Sequence, residues 1–388
     1  MTDMPRAATG GMEGDGAYNR HASVQAAGNT LALLHAREAA RRVDINPENE
    51  PIIIADYGSS QGKNSLAPMR TAIQTLRSRA GTDRPFMVFH VDLAVNDFNT
   101  LFRTLDSDPD SYAHDLANVY ACGVGRSFYQ NVLPPSSVHL GWSAYAVQWL
   151  SCIPAVRGDH LWSASLNGSA RSIYEQQGAQ DWERFLALRA RELRPGGRLV
   201  VVCPGAGAGQ AIANHADTVI AEMVKEGAIS ATERARMTLA FWMRSESEYV
   251  APFQRDGRFL DLTVEHCEST PQADAAWEQY QRDGDAEALA IKHAAFFRAT
   301  FLPTLADTLT RADDPEARRA FGDQLERGLR QRLQREPTSA NSRVDTVVIA
   351  KLPPDGAGSL KGLEDSDPCP RIGDRASSEY HDKQTRNH

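Results

Sequence analysis

Apolar residues along this chain fall into short dense runs separated by longer stretches of helical spacing. The densest run is Ile52-Ile53-Ile54-Ala55, which breaks at Asp56 and is followed by Gly58 and Gly62. β-Branched residues packed this closely predict a strand buried on both faces, as in the middle of a parallel sheet. The two glycines permit a tight backbone path beside a bound molecule, although a plain structural turn uses glycine in the same way. Leu66, Met69, Ile73 and Leu76 then recur at helical spacing. Strand, glycine-bearing loop and helix are the opening unit of a doubly wound α/β fold, whose ligands sit beyond the carboxyl ends of the strands.

The same alternation continues. Phe86–Val91 predicts a second strand, closed by Asp92, and Asn96 or Asp97 is placed to cap the next helix. Val138 and Leu140 suit a strand, with a turn and short helix expected over Tyr145–Leu150. Residues 155–180 are polar and irregular, and Trp182–Leu193 is amphipathic, with Phe185, Leu186, Leu188 and Leu193 inward. A turn at Pro195-Gly196-Gly197 leads into a buried strand over 198–205. From 210 to about 250 the spacing turns helical, where an open sheet needs only a short connection, so an inserted helical cap is expected. Residues 258–266 alternate like an edge strand. Helices are expected over 285–310, with Phe296, Phe297, Phe301 and Leu305 on an apolar side, and over 315–334, before a last strand at 344–352. No internal repeat is present.

Near the amino end, a helix carrying Leu31, Leu33, Leu34, Ala39 and Val43 follows Gln25 and stops before Pro47 and Pro51. The division expected is a flexible segment 1–16, one catalytic domain over 17–352 with cap segments at about 155–180 and 208–340, and a disordered tail over 353–388. A mean hydropathy of −0.44 fits such ends. The chain of 388 residues has a net charge of −8 and no basic stripe, which argues against binding nucleic acid through its phosphates. Its five cysteines are odd in number and widely spaced, so they read as thiols of a reducing cytoplasm rather than a disulfide framework or zinc site. No apolar run is long enough to span a membrane, and the amino end has no secretory signal pattern. Arginine far outnumbers lysine and alanine is abundant, as in a GC-rich bacterial genome.

Candidate chemistry clusters at the ends of the predicted strands. Asp92 stands where nucleotide-binding α/β folds accept two ribose hydroxyls on one carboxylate, although a solvated strand end looks the same in sequence. Phe128 and Tyr129 either stack on a purine or pack in the core. Gln148 and Trp149 offer N–H donors, and a buried indole N–H needs a partner. No His/Asp group shows metal-ligand spacing, so no metal is expected.

Taken in order, these blocks resemble the SABATH family, the salicylate, benzoate, jasmonate and caffeine-pathway methyltransferases and their bacterial relatives. IADYGSSQGKNS (54–65) is similar to the family's glycine loop. VDLAVNDFNTLF (91–102) is similar to its NDLPxNDFNxLF segment, and RSFYQNVLPPSSVHLGWSAYAVQWLSCIP (126–154) to its longest motif. FLALRARELRPGG (185–197), MVKEGAI (223–229) and HAAFFRATFLPTL (293–305) extend the likeness. The resemblance implies a Rossmann-like class I methyltransferase sheet of about seven strands with a helical cap. It also implies S-adenosylmethionine as cofactor and a cytoplasmic, commonly homodimeric enzyme. Asp56, Gly58, Ser59 and Asn64 would line the methionine end, Asp92 and Leu93 the ribose and adenine edge, and Ser127 and Phe128 the adenine. Gln25 and Trp149 would clamp the acceptor carboxylate, with Tyr18 and Tyr145 near the methyl donor. Ile212, Trp242 and Met243 fall on cap positions that would wall the acyl pocket, beside Gln148.

The match has gaps. The family's Y-x-x-N-S-x-x-Q becomes Tyr18-x-x-His21-Ala22-x-x-Gln25, and Lys63 replaces a usual proline. Ile212-Ala213 stands where several plant enzymes carry a bulky tryptophan, which implies a wider pocket, for a medium-length fatty acid or a substituted aromatic acid as much as for salicylate. The readings that follow are methyl-ester formation on a small apolar acid, N-methylation of a xanthine-like ring, or cofactor binding without catalysis.

Overall fold

The computed structural model describes residues 6–7, 23–45, 50–156 and 158–353, with side chains described from Ala32 onward. The segments expected to be flexible at either end lie outside the described residues, apart from Arg6–Ala7 and Pro353. Seven strands form the main sheet: β1 (Ile52–Tyr57), β2 (Phe86–Asp92), β3 (Val119–Gly125), β4 (Val138–Ala144), β5 (Leu193–Pro204), β6 (Leu262–Pro271) and β7 (Arg343–Lys351). Their order is β3-β2-β1-β4-β5-β7-β6. The first five run parallel, β7 is antiparallel to β5, and β6 is antiparallel to β7. After β1 the chain builds outward to β3 and then returns to the other side of β1 as β4. The crevice between β1 and β4 is therefore a topological switch point, where such sheets bind ligands.

Apolar burial explains the layering. One face of the sheet packs on α1 (Ser23–Arg42) and α2 (Leu66–Ala80) through Ile52, Ile54, Met69, Ile73 and Trp142. The other packs on α4 (Gly168–Glu192) through Tyr57, Trp182, Phe185 and Val201. α3 (Phe98–Ser107) follows β2, and its cap is Asp97, whose carboxylate accepts the Thr100 N–H at 2.9 Å. A separate core forms the cap, from α5 (Gln210–Lys225), α7 (Ala286–Ala306) and α8 (Pro315–Arg335), with α6 (Ala275–Asp283) ahead of α7. Between α5 and α6 the chain returns to the sheet as β6, so the cap is assembled from two stretches. No helix among the described residues is long and apolar enough to cross a membrane.

Three local expectations need correction. The helix placed at 182–193 starts at Gly168, inside the stretch that reads as irregular. Its first half is polar, yet Tyr174 is buried and Gly178 lies under the Trp242 ring, where an added Cβ would come within 2.7 Å of Cδ1. Helix is also expected through 231–243, but only Ala231–Arg234 is helical. Residues 237–243 are extended, with Met237, Leu239 and Phe241 in the cap core and Ala240 and Trp242 in a second cluster on the opposite side. An extended segment buried on both faces carries no alternation of apolar and polar residues, so its period of two is hidden. Tyr145–Leu150 holds turns and a single bridge, Trp149 to Phe241, rather than a helix.

Candidate functional site

Two cavities lie side by side along the carboxyl edge of the parallel strands. The first follows β1 and spans about 320 Å³, open solvent included, between Asp56, Gly58, Ser59, Gly62, Asn64 and the Trp142–Ala144 end of β4. Gly58 has φ +89°, and a Cβ there would meet Ala146 Cβ at 2.2 Å, so only glycine lets the loop pass. Its N–H and that of Ser59 donate to Val91 O at 2.8 and 3.2 Å. Asp92 fastens the loop from the neighbouring strand. Its carboxylate accepts the N–H of Ser60 at 2.7 Å and of Leu93 at 2.8 Å. Burial, with Asp56 nearby, pushes the Asp92 carboxyl up to about 6 despite those two N–H groups.

Asp56 is 1% exposed and ends a buried chain of hydrogen bonds. His90 Nδ1 lies 2.9 Å from its carboxylate and His90 Nε2 2.7 Å from the Tyr112 hydroxyl. One carboxylate oxygen is thus fixed from behind while Asp56 still lines the cavity. The Ser59 and Ser60 hydroxyls are buried without partners. Lys63, where the family carries proline, ties the loop to Asp108 at 2.6 Å. Phe128 packs edge-on to Phe185 at 5.9 Å and lies near Gly58, while Ser127 is half-buried beside it. A molecule with several polar groups fits this lining, which offers carboxylate, amide and hydroxyl at short range.

The second cavity spans about 870 Å³, open solvent at its mouth included, and is walled mainly by aromatic rings. From the sheet come Tyr145, Gln148 and Trp149 after β4, Pro204 and Ala208 after β5, Gln272 after β6, and Ser342 and Arg343 at the start of β7. β7 runs antiparallel, so its first residues meet the same edge. From the cap come Ile212 on α5, Phe241 and Met243, and His293, Phe296, Phe297, Thr300 and Phe301 on α7. Ala144 lines the first cavity and Tyr145 the second, so two residues joined by one peptide bond divide them. Tyr145 adopts φ +53°, held by its N–H to Val202 O at 2.7 Å and its hydroxyl to Gln272 Oε1 at 3.3 Å. A non-glycine residue in this region signals a conformation enforced by its surroundings.

Trp149 is the informative side chain here. Phe241 meets its ring edge-on at 5.8 Å and Phe301 lies 6.2 Å away, yet its Nε1–H is buried with no partner. A buried donor left unpaired costs about 1–3 kcal/mol, which a ligand oxygen in the cavity would offset. Gln148 lines the same wall, but one of its amide N–H groups already donates to Tyr145 O at 2.7 Å. Arg343 is the one cationic guanidinium lining the cavity among the described residues, and it donates to Ser269 O at 2.8 Å and Ser269 Oγ at 3.1 Å.

Of the residues singled out in sequence, Asp56, Gly58, Ser59 and Asn64 meet at the first cavity, with Asp92 behind the loop. Tyr145, Gln148, Trp149, Ile212 and Met243 meet at the second. Trp242 does not. It is 4% exposed, packs among Leu150, Leu166 and Tyr174, and donates from Nε1 to Glu248 at 2.6 Å. The extended backbone turns Phe241 and Met243 to the cavity and Trp242 away from it, so Phe241 is the wall residue. Tyr18 lies outside the described residues, and Gln25 occupies the first turn of α1 with its side chain outside them. Sequence reasoning missed Trp162, His293 and Thr300 as wall residues. The α7 stripe of 293, 296, 297, 300 and 301 has helical spacing that could have grouped them.

His35 on α1 and His266 and Glu268 on β6 bring their ligand atoms within 4.8 Å of one another. The two imidazoles stack at 4.3 Å with planes 26° apart, so their in-plane lone pairs do not converge on one ion.

Comparison with known proteins agrees with this architecture. The family described as SAM dependent carboxyl methyltransferase matches residues 6–348. Gibberellic acid methyltransferase 2 of Arabidopsis thaliana is 27% identical over 301 residues, 70% of this chain and 77% of its own length. Salicylate carboxymethyltransferase of Clarkia breweri is 28% identical over 250 residues, 60% of this chain and 67% of its own. A solved loganic acid methyltransferase with SAH superposes with a TM-score of 0.71 at 21% identity, covering 90% of this chain and all of that one, and has the same fold. The family match across nearly the whole described chain, on a sheet of this order with its glycine loop at the switch point, shows that the protein belongs to the SABATH family of S-adenosylmethionine-dependent carboxyl methyltransferases.

Proposed function

We propose that this enzyme forms the methyl ester of a small, largely apolar carboxylic acid, a fatty or aromatic acid, bound in the aromatic cavity with its carboxylate at Trp149. The observation that carries the reading is the buried, partnerless Trp149 N–H in an apolar cavity one peptide bond from the glycine-loop cavity. A carboxylic acid with a pKa near 4 is ionised at neutral pH, so no general base is required. S-Adenosylmethionine supplies a methyl carbon on a cationic sulfur, to which one carboxylate oxygen bonds as the carbon–sulfur bond breaks and sulfur leaves neutral.

The chain's own residues then have three tasks. Asp56, Gly58, Ser59 and Asn64, with Asp92, Leu93, Ser127 and Phe128, hold the cofactor. The unpartnered Ser59 and Ser60 hydroxyls and the glycine cradle support that assignment. Trp149, with Gln25 from α1, fixes the carboxylate by neutral N–H donors, which leave its charge available to react. Tyr145, strained at the divide, and the rings of Phe241, Phe297 and Phe301 align the acid and exclude water. Such alignment contributes up to roughly 7–11 kcal/mol of barrier lowering in favourable cases.

A cytoplasmic location, a homodimer and a bacterial origin belong to the same reading. Four described cysteines, none paired, support the first, and the arginine and alanine bias supports the last. The test is transfer of label from radiolabelled S-adenosylmethionine to a panel of acids: saturated fatty acids, benzoate, salicylate and indole-acetate, with a xanthine included. Base-labile, organic-extractable label on an acid supports the reading. Base-stable label on the xanthine alone would replace it with N-methylation.

A further inference from the structure

The cavity holds a second polar end that methyl-ester formation does not use. His293 on α7 is 5% exposed and lines the cavity. Its Nε2 lies 3.3 Å from Asp274 Oδ1, while its Nδ1 is buried with no partner. Asp274 is itself tightly held. Its carboxylate accepts the N–H of Trp277 at 3.0 Å and of Ala340 at 2.8 Å, and the Ser339 hydroxyl at 3.3 Å. Burial alone would raise its pKa, but these contacts and His293 hold it down at about 2, so it is a carboxylate throughout the working pH range. A carboxylate facing Nε2 holds a proton on that nitrogen, so Nδ1 is the ring atom left to the cavity.

The dyad sits far from the carboxylate anchor. Phe301, which packs on Trp149, is eight residues along α7 from His293, or roughly 12 Å at 1.5 Å per residue. Between them on α7 lie Phe296 and Phe297, whose rings offer no hydrogen bond, and Thr300, whose buried hydroxyl also has no partner.

Resting on the carboxyl-methylation reading with Trp149 at the carboxylate, we propose that the natural acceptor is a hydroxylated acid whose distal hydroxyl hydrogen-bonds to His293 Nδ1. Asp274 is then a positioning residue: it sets the tautomer and ring orientation without touching the acid. A hydroxyl both donates and accepts, so it pairs with Nδ1 whether or not that nitrogen carries a proton, whereas a methyl terminus leaves Nδ1 buried and unsatisfied.

The experiment compares matched acids on the full-length enzyme: octanoic, decanoic and dodecanoic acids against their ω-hydroxy counterparts, and cinnamic acid against 4-hydroxycinnamic acid. The expected result is a kcat/KM for the best-fitting hydroxy acid about tenfold to a hundredfold above its deoxy partner. In His293→Leu that ratio is expected to fall to about one. Asp274→Asn, which keeps the side-chain shape but weakens the hold on His293 Nε2, is expected to lower the ratio with the deoxy rate retained within a few-fold. Calorimetric binding of each pair in the presence of S-adenosylhomocysteine reads the same preference without turnover and serves if His293→Leu fails to fold. Equal kcat/KM and equal binding within every pair overturn the dyad's role and leave the ester-forming reading intact. No methylation of any acid in the series, hydroxylated or not, overturns the substrate reading itself.

Discussion

Replacing Trp149 by phenylalanine separates binding from folding at the position on which the functional reading rests. Phenylalanine keeps an aromatic ring against Phe241 and Phe301 and deletes the Nε1–H. In the ligand-free protein that N–H has no partner, so its removal takes away a penalty of about 1–3 kcal/mol. The smaller ring leaves a gap whose cost is of similar size. The two nearly cancel, and the melting temperature of Trp149→Phe is expected to match or exceed that of the parent.

Acceptor binding behaves differently. A hydrogen bond from a buried N–H to an anionic carboxylate contributes about 1.5–3 kcal/mol, or roughly a 10- to 150-fold change in affinity. The carboxylate carries its full charge in the bound acid and loses charge as its oxygen bonds to the methyl carbon. The contact is therefore at least as strong before the transition state as in it, and its loss falls mainly on KM. Steady-state methyl transfer over a range of acid concentrations at saturating cofactor is expected to show KM raised tenfold or more, with kcat unchanged or slightly raised. A KM within about twofold of the parent would refute the assignment of Trp149 to the carboxylate, and a large drop in melting temperature would make its role a packing one.

Other perturbations test the rest of the site. Burial pushes the Asp92 carboxyl up to about 6, and in the proposed role its ionised form accepts ribose hydroxyls more strongly than its protonated form. Calorimetric affinity for S-adenosylhomocysteine is therefore expected to be flat above about pH 7 and to weaken as pH falls through 6, and Asp92→Asn to bind weakly with that dependence gone. Gly58→Ala places a Cβ 2.2 Å from Ala146 Cβ at φ +89°, so it is expected to cost about 1–3 kcal/mol in stability and most of the cofactor affinity, measured by thermal melts with and without S-adenosylhomocysteine. Asp345 is 1% exposed, and its carboxyl is pushed from 3.8 up to about 6 by burial, with Glu246 adding to the shift. The native state thus holds that proton more tightly than the unfolded chain, and the group lowers stability progressively as pH rises from about 4 through 6. Asp345→Asn is expected to add on the order of 2 kcal/mol above pH 7 and little at pH 4, read by urea denaturation at both; an equal gain at both values would place its cause elsewhere.

Much of the sheet could be read in the chain because buried parallel strands are dense apolar runs that need no knowledge of their neighbours. Ile52–Ala55, Phe86–Val91 and Leu199–Val202 announce themselves, and Asp97 announces the cap of α3. The glycine loop was legible for the same reason, since Gly58 and Gly62 mark backbone that other residues cannot follow. The elements that escaped are those whose burial comes from partners far along the chain. Half of α4 reads as polar because its buried face is made of Tyr174, Gly178 and Asp181, and only Trp242 over Gly178 and Ser151 against Asp181 explain it.

The acceptor cavity carries this furthest. Trp149, Trp162, Phe241 and Phe301 converge from four separate stretches, and no local pattern distinguishes Phe241, which faces the cavity, from Trp242, which faces away. Which of two adjacent aromatics becomes the wall is decided by the bridge from Trp149 to Phe241, a contact nearly a hundred residues long in sequence. The cofactor half of the site is local to the β1 loop and the β2 tip, so relatives can share it as a recognisable motif. The acid is read by side chains such as His293, whose meaning depends on Asp274 holding its far nitrogen. A chain can therefore keep the motif that fixes the reaction while changing its substrate by altering residues that no motif contains.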